Sequence, residues 1–91
     1  MAELLLTNRA KEDLATLPRS IQEAVLETLA ALEIQPEELG KELRGRLQGL
    51  WSCRVGNYRI LYTIEGPDLS SRVIVRAVRH RAIAYGRRRD R

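Results

Sequence analysis

Two runs of alternating residues flank the dipeptide Gly56-Asn57, and they constrain the fold more than any other feature of the chain. In the first, Leu50 to Val55, the side chains of Trp51, Cys53 and Val55 point one way and those of Ser52 and Arg54 the other. In the second, Tyr58 to Ile64, Tyr58, Ile60, Tyr62 and Ile64 share a face. Gly-Asn is a two-residue hairpin turn, and a turn of that length fixes the register of the strands it joins. Val55 then pairs with Tyr58, Ser52 lies opposite Leu61, and Arg54 lies opposite Arg59 on one face. The other face collects the apolar set and must lie under whatever covers the sheet. Trp51, Tyr58 and Tyr62 are therefore expected in the core, and Cys53 reads as a small buried residue without a histidine in reach.

The remaining elements follow from period and punctuation. Leu4-Leu5-Leu6 reads as a first short strand. Thr7 or Asn8 can cap a helix that puts Ala10, Leu14 and Leu17 on one side, and Pro18 breaks it. Ser20-Ile21-Gln22-Glu23 has the form of a capping box, opening a second helix that buries Ile21, Val25, Thr28, Leu29 and Leu32. Pro36 stops that helix, and residues 35–49, with Gly40, Gly45 and Gly49, read as a loop holding one helical turn. Gly66-Pro67-Asp68 is a further turn. Val73-Ile74-Val75 starts a last strand running to about Arg79, and apolar residues on both its faces give it a central position. The order is strand, two helices, three strands: an α+β fold, with a small antiparallel-rich sheet and the two N-terminal helices packed on one face. Residues 1–86 form one domain and 87–91 an arginine-rich tail.

Charge is divided along the chain. Residues 1–39 carry three basic and eight acidic side chains, and residues 40–91 thirteen basic and four acidic. An acidic half of net −5 thus precedes a basic half of net +9, giving +4 for the whole. Fourteen of the sixteen basic residues are arginine, whose planar fork suits phosphate better than the point charge of lysine. A basic half of this kind points to a polyanion, nucleic acid first, although a solubilising surface has the same composition. The hairpin sharpens the point. Like charges directly across two strands repel each other, so the fold gains nothing from Arg54 opposite Arg59. A bound phosphate would turn the repulsion into a clamp. The plainer alternative is that both side chains fan out into water.

Other classes of chemistry find little support. Paired carboxylates, a glycine-rich phosphate loop and metal-ligand spacings are absent, and one cysteine with one histidine cannot build a zinc site. The apolar runs are too short to cross a bilayer, and the start has no signal-peptide pattern. The expectation is a cytoplasmic domain without disulfide, metal, cofactor or membrane contact.

Leu43-Arg44-Gly45, then Leu50-Trp51-Ser52-Cys53-Arg54-Val55-Gly56-Asn57-Tyr58-Arg59-Ile60-Leu61-Tyr62, then Val78-Arg79-His80-Arg81 and Tyr85 together resemble the RelE/ParE toxin superfamily of bacterial type II toxin–antitoxin systems. Asn8 to Leu14, followed by Leu17-Pro18, fits its first helix, so the resemblance covers nearly the whole chain. It implies a microbial-ribonuclease-type fold with a concave basic face, and an acidic RelB-like antitoxin as partner. The ending Val78 to Tyr85 looks more like the RelE branch, which cuts mRNA in the ribosomal A site, than the ParE branch, which inhibits DNA gyrase. A toxin homologue that only binds its antitoxin is the third reading.

The RelE resemblance implies metal-free cleavage, in which the ribose 2′-hydroxyl attacks the adjacent phosphorus to leave a 2′,3′-cyclic phosphate and a 5′-hydroxyl. Arg54, Arg59 and Arg81 match family positions at the scissile phosphate, and Tyr85 matches an aromatic residue that stacks on or orients a nucleotide. Where such toxins often carry a lysine two positions before the match to Arg54, this chain has Ser52, a poor base without an activating partner. His80 is the one side chain of a type that ordinarily titrates near neutrality, which makes it the candidate general base. Being adjacent on a strand, His80 and Arg81 reach one site only at a strand end or turn. A structural histidine at the strand end is the alternative. Contacts to RNA backbone are expected from Arg44 and Arg46 in the loop, Arg79 in the last strand, and Arg87 and Arg88 in the tail, with ribosome and mRNA as partners.

Overall fold

The computed structural model describes residues 2–66 and 71–83, so Tyr85, Arg87, Arg88 and the tail lie outside the described residues, as do Pro67 and Asp68 of the expected turn. Strand β1 (Glu3–Leu6) leads into helix α1 (Asn8–Ala15) and helix α2 (Arg19–Leu32). A short helix α3 (Pro36–Leu39), a two-residue strand β2 (Lys41–Glu42) and a 3-10 turn (Gly45–Leu47) follow. Strands β3 (Trp51–Val55), β4 (Tyr58–Glu65) and β5 (Arg72–His80) complete the sheet, and Arg81–Ile83 form a second 3-10 turn. The sheet order is β1-β5-β4-β3-β2. β1 runs parallel to β5 and the other neighbours are antiparallel. The parallel pair needs a long crossover, and α1 and α2 begin it.

The helix starts have different causes. Thr7 caps α1, its Oγ1 accepting the Ala10 N–H at 3.1 Å. The expected capping box at Ser20 does not form. α2 already begins at Arg19, and the Pro18 carbonyl accepts the Gln22 N–H at 2.9 Å. Proline's fixed φ pre-sets that entrance, so Ser20 sits inside the first turn and has no cap to make. Pro36 likewise starts α3 as well as lying beyond α2. The segment 35–49 thus holds two helical turns and an edge strand where one turn was expected. At two residues, β2 is too short to show a period and is defined only by its pairing with Ser52 and Trp51.

The core lies between the helices and one face of the sheet. Val25, Leu29 and Leu32 of α2 meet Ile60, Tyr62, Val73 and Val75. Tyr62 is fully buried, and its hydroxyl donates to the Pro36 carbonyl at 2.7 Å. Trp51 is half-buried and stacks on Tyr62 with ring centres 6.2 Å apart. Cys53 is buried and unpaired, as its place on the strand requires.

Candidate nucleic-acid interface

The Gly56-Asn57 turn sets the site. Gly56 adopts φ 60°, the left-handed conformation that a tight hairpin turn requires. Val55 pairs with Tyr58, and Arg54 with Arg59. The next strand extends the row, since Arg59 pairs on its other side with Arg79. Three arginines therefore stand side by side across β3, β4 and β5. Their face is the one turned away from the core, because Cys53, Ile60 and Val78, one position along each strand, belong to the core cluster.

Beside this row lies a second one, Ser52, Leu61 and Ala77, on the same face. All three are buried, at 7%, 6% and 8% exposure, although Leu61 and Ala77 are not part of the helix-covered core. The face is therefore a trough with a small, largely apolar floor and a rim of arginine. A β-bulge helps to shape it. Leu61 pairs with Ala77 but Tyr62 with Val75, which leaves Arg76 as the extra residue of β5. Such a bulge bends its strand and adds twist.

Arginines along the trough differ in their partners. At one end Arg72 pairs with Glu3 and Arg76 with Glu65, both at 3.6 Å. Arg76 also donates from Nε to Thr63 Oγ1 at 3.3 Å. At the other end, among the described residues, Arg54, Arg59 and Arg81 have no carboxylate within ion-pair distance. Arg54 Nε donates to the Gly56 carbonyl at 3.3 Å, which steadies it beside the turn. Along this face, among the described residues, the arginines without a carboxylate partner thus gather at the hairpin end.

His80 and Arg81 are adjacent here. The Arg81 N–H donates to the Asn57 carbonyl at 2.8 Å, tying the end of β5 to the hairpin turn next to the arginine row. His80 belongs to the neighbouring row, Val55–Tyr58–His80, on the helix side of the sheet. Its ring meets Tyr58 edge to face, with centres 5.4 Å apart. The His80 Nδ1 accepts the Ala82 N–H at 3.3 Å, an end-of-strand bond. The structure thus brings Arg54, Arg59 and Arg79 together and places Arg81 beside them, with His80 on the other side of the strand. Arg44 and Arg46 are exposed at the β2 edge, where Arg44, Glu42, Leu43, Gly45 and Gln48 line an open hollow of about 410 Å³. Among the described residues, no three His, Cys, Asp or Glu side chains gather as a metal-binding group, and no helix is long and apolar enough to cross a membrane.

A family model for the ParE toxin of type II toxin–antitoxin systems matches residues 4–85. The chain belongs to the RelE/ParE superfamily of toxins. This toxin is 42% identical to Toxin RelG of Mycobacterium tuberculosis over 89% of its own length and 92% of the relative's. It is 38% identical to Toxin RelE of the same organism, over 88% of this chain and 81% of the relative. Among solved structures, the toxin–antitoxin complex RelBE2 of M. tuberculosis matches with TM-score 0.79 and 38% identity, over 88% of this chain and 98% of the other. The Escherichia coli RelBE complex matches at 22% identity and TM-score 0.69, over 88% and 96% of the two chains, and shares the fold.

Three features of the toxin's site escape a reading of the sequence. Asp13, far away in sequence, lies 3.6 Å from Arg79 Nε and accepts the Val78 N–H at 3.0 Å. Ser52 Oγ is buried with no hydrogen-bond partner among the described residues. Gly40 gives Tyr62 its room, since a Cβ there would fall 2.0 Å from the phenol oxygen and 3.0 Å from the Ser52 carbonyl. Burial pushes the Tyr62 hydroxyl far above its ordinary range, and the charge on an ionised Cys53 adds to the shift. The Cys53 thiol is itself pushed up by burial.

Proposed function

We propose that this toxin is a ribosome-dependent mRNA endonuclease that works without a metal. The observation that carries the reading is the arginine row, Arg54–Arg59–Arg79, above the trough floor, with Arg81 tied beside it. The 2′-oxygen of a ribose attacks the neighbouring phosphorus, the P–O5′ bond breaks, and the products end in a 2′,3′-cyclic phosphate and a 5′-hydroxyl. Negative charge builds on the phosphoryl oxygens in the transition state. Guanidinium groups beside the apolar floor stabilise that charge, and losing one such donor costs about 10²- to 10³-fold in rate. Arg54, Arg59 and Arg81 have this role, and Tyr85 stacks on or orients a nucleotide. Arg44, Arg46, Arg87 and Arg88 hold RNA backbone outside the reacting group.

Proton transfer is assigned away from this face of the protein. His80 Nδ1 is occupied as an acceptor, so a neutral ring carries its proton on Nε2 and has no free lone pair to offer. Among the described residues, Ser52 has no activating partner. In this reading the ribosome completes the acid–base chemistry. An acidic RelB-like antitoxin covers the basic face and silences the protein, consistent with the antitoxin complexes formed by its structural relatives.

The match to a ParE model supports a second reading, a gyrase inhibitor without nuclease activity. The buried Ser52 supports a third, an inactive antitoxin-binding homologue. One pair of reactions separates them. Defined mRNA is incubated with the toxin, with and without translating ribosomes, and gyrase supercoiling is measured in parallel. The proposal expects RNA ends bearing cyclic phosphate only when ribosomes are present, and unimpaired gyrase. Intact mRNA with blocked supercoiling gives the ParE-like reading, and inactivity in both gives the third.

A further inference from the structure

Arg79 stands out among the arginines of the row because it is already held. Its Nε lies 3.6 Å from Asp13 Oδ2, close enough for an ion pair and too far for a hydrogen bond, and that nitrogen is buried. Asp13 is fixed in turn. The same Oδ2 accepts the Val78 N–H at 3.0 Å, and Oδ1 pairs with Arg9 Nε at 3.5 Å, one helical turn away. The side chains of Asp13 and Arg79 are only 17% and 22% exposed. A guanidinium offers five N–H groups in a rigid plane. With the Nε edge turned to Asp13, the terminal nitrogens are the donors left for a ligand on the face shared with Arg59.

Neighbouring strands lie about 4.8 Å apart, so the row from Arg54 to Arg79 spans about 10 Å. That is wider than one phosphate group. We infer that the row holds two successive phosphates of one RNA strand: Arg54 and Arg59 take the first, and Arg79, positioned by Asp13, forms a second phosphate site one strand over. The inference rests on the nucleic-acid reading of this face but not on the cleavage chemistry. Asp13 acts as a positioning residue. It orders the arginine before the ligand arrives, as a second layer of contacts does in binding sites generally.

The test is binding of a short single-stranded RNA by the full chain, without ribosomes, measured by fluorescence anisotropy over a series of salt concentrations. Each phosphate contact on a single strand contributes about 0.7 to the slope of log affinity against log salt. Arg79→Gln is expected to reduce that slope by about 0.7, as Arg59→Gln does. Asp13→Asn keeps an acceptor for the Val78 N–H and removes a negative charge. If Asp13 only neutralised Arg79, this variant would bind RNA more tightly. If it positions Arg79, binding weakens by about 2- to 10-fold with little change in slope, the range expected from ordering one side chain. Asp13→Glu should recover part of the loss. An unchanged slope in Arg79→Gln overturns the second site, tighter binding by Asp13→Asn overturns the positioning role, and no salt-dependent binding by the wild type overturns both. Because cleavage is not the readout, an mRNA left intact on ribosomes would count against the endonuclease and leave this result standing.

Discussion

Arg59→Gln should make the toxin more stable and less active at once. Arg59 lies directly between Arg54 and Arg79 in the ladder. A like-charge pair across strands is destabilising by about 0.2–1 kcal/mol. Arg79 is compensated by Asp13, so most of the repulsion comes from Arg54, which is exposed and partly screened. Removing the Arg59 charge while keeping most of its stem should therefore stabilise the fold by about 0.5–1 kcal/mol at low salt. For a domain of this size that raises the melting midpoint by about 2–8 °C. The gain should vanish near 1 M salt, where the screening length is about 3 Å. With Arg59 in its proposed place at the developing charge, cleavage should fall by about 100-fold or more. Thermal melts at low and high salt, beside a cleavage assay, read both effects. A lower midpoint at low salt, or a gain that survives high salt, refutes the repulsion argument. A more stable variant of unchanged activity refutes the role of Arg59.

Other expectations concern the core and the strand end. Gly40→Ala forces a methyl against the Tyr62 oxygen and the Ser52 carbonyl, so it should destabilise the fold by about 1–3 kcal/mol, read in denaturant melts. Tyr62→Phe in the same background should relieve part of that loss. Tyr62 and Cys53 both have folded pKa values raised above their ordinary 10.0 and 9.0. Their contribution is complete below those ordinary values and is lost as pH rises through and beyond them, because only the unfolded chain ionises easily. The melting midpoint should therefore drop above about pH 9, and Cys53→Ala should delay the fall. A midpoint flat to strongly alkaline pH would contradict this. His80→Ala should cost less than about tenfold in cleavage, below the 10²-fold minimum typical of a general base. A larger loss, with the fold intact by circular dichroism, would return His80 to the proton transfer.

How much of this was legible in the chain depended on the range of the interactions. The β3–β4 register could be read because a two-residue turn leaves the strands no freedom, and the pairing of Arg54 with Arg59 came with it. The helix faces were readable for a similar reason, since Val25, Leu29 and Leu32 repeat at helical spacing. The start of α2 differs from the sequence pattern because Ser20 and Glu23 carry the capping pattern, while Pro18 sets the entrance two residues earlier. Nothing local could show that β1 pairs parallel with β5, or that Arg76 is a bulge. The third arginine of the row was visible only as a basic residue. Its alignment depends on the β4–β5 register, and its partner Asp13 comes from a helix near the other end of the sequence. Gly40 looked like a loop glycine, whereas its close approach to Tyr62 is what requires it.

The proposed activity of the arginine face is cleavage of mRNA on the ribosome. The most direct measurement is a translation reaction with purified ribosomes and a defined mRNA, with primer extension to map any break, run with the wild type and with Arg81→Ala. The expected result is breaks confined to the codon in the ribosomal A site and their loss in Arg81→Ala. Intact mRNA in the presence of folded wild-type protein, or breaks that persist unchanged in Arg81→Ala, would contradict it.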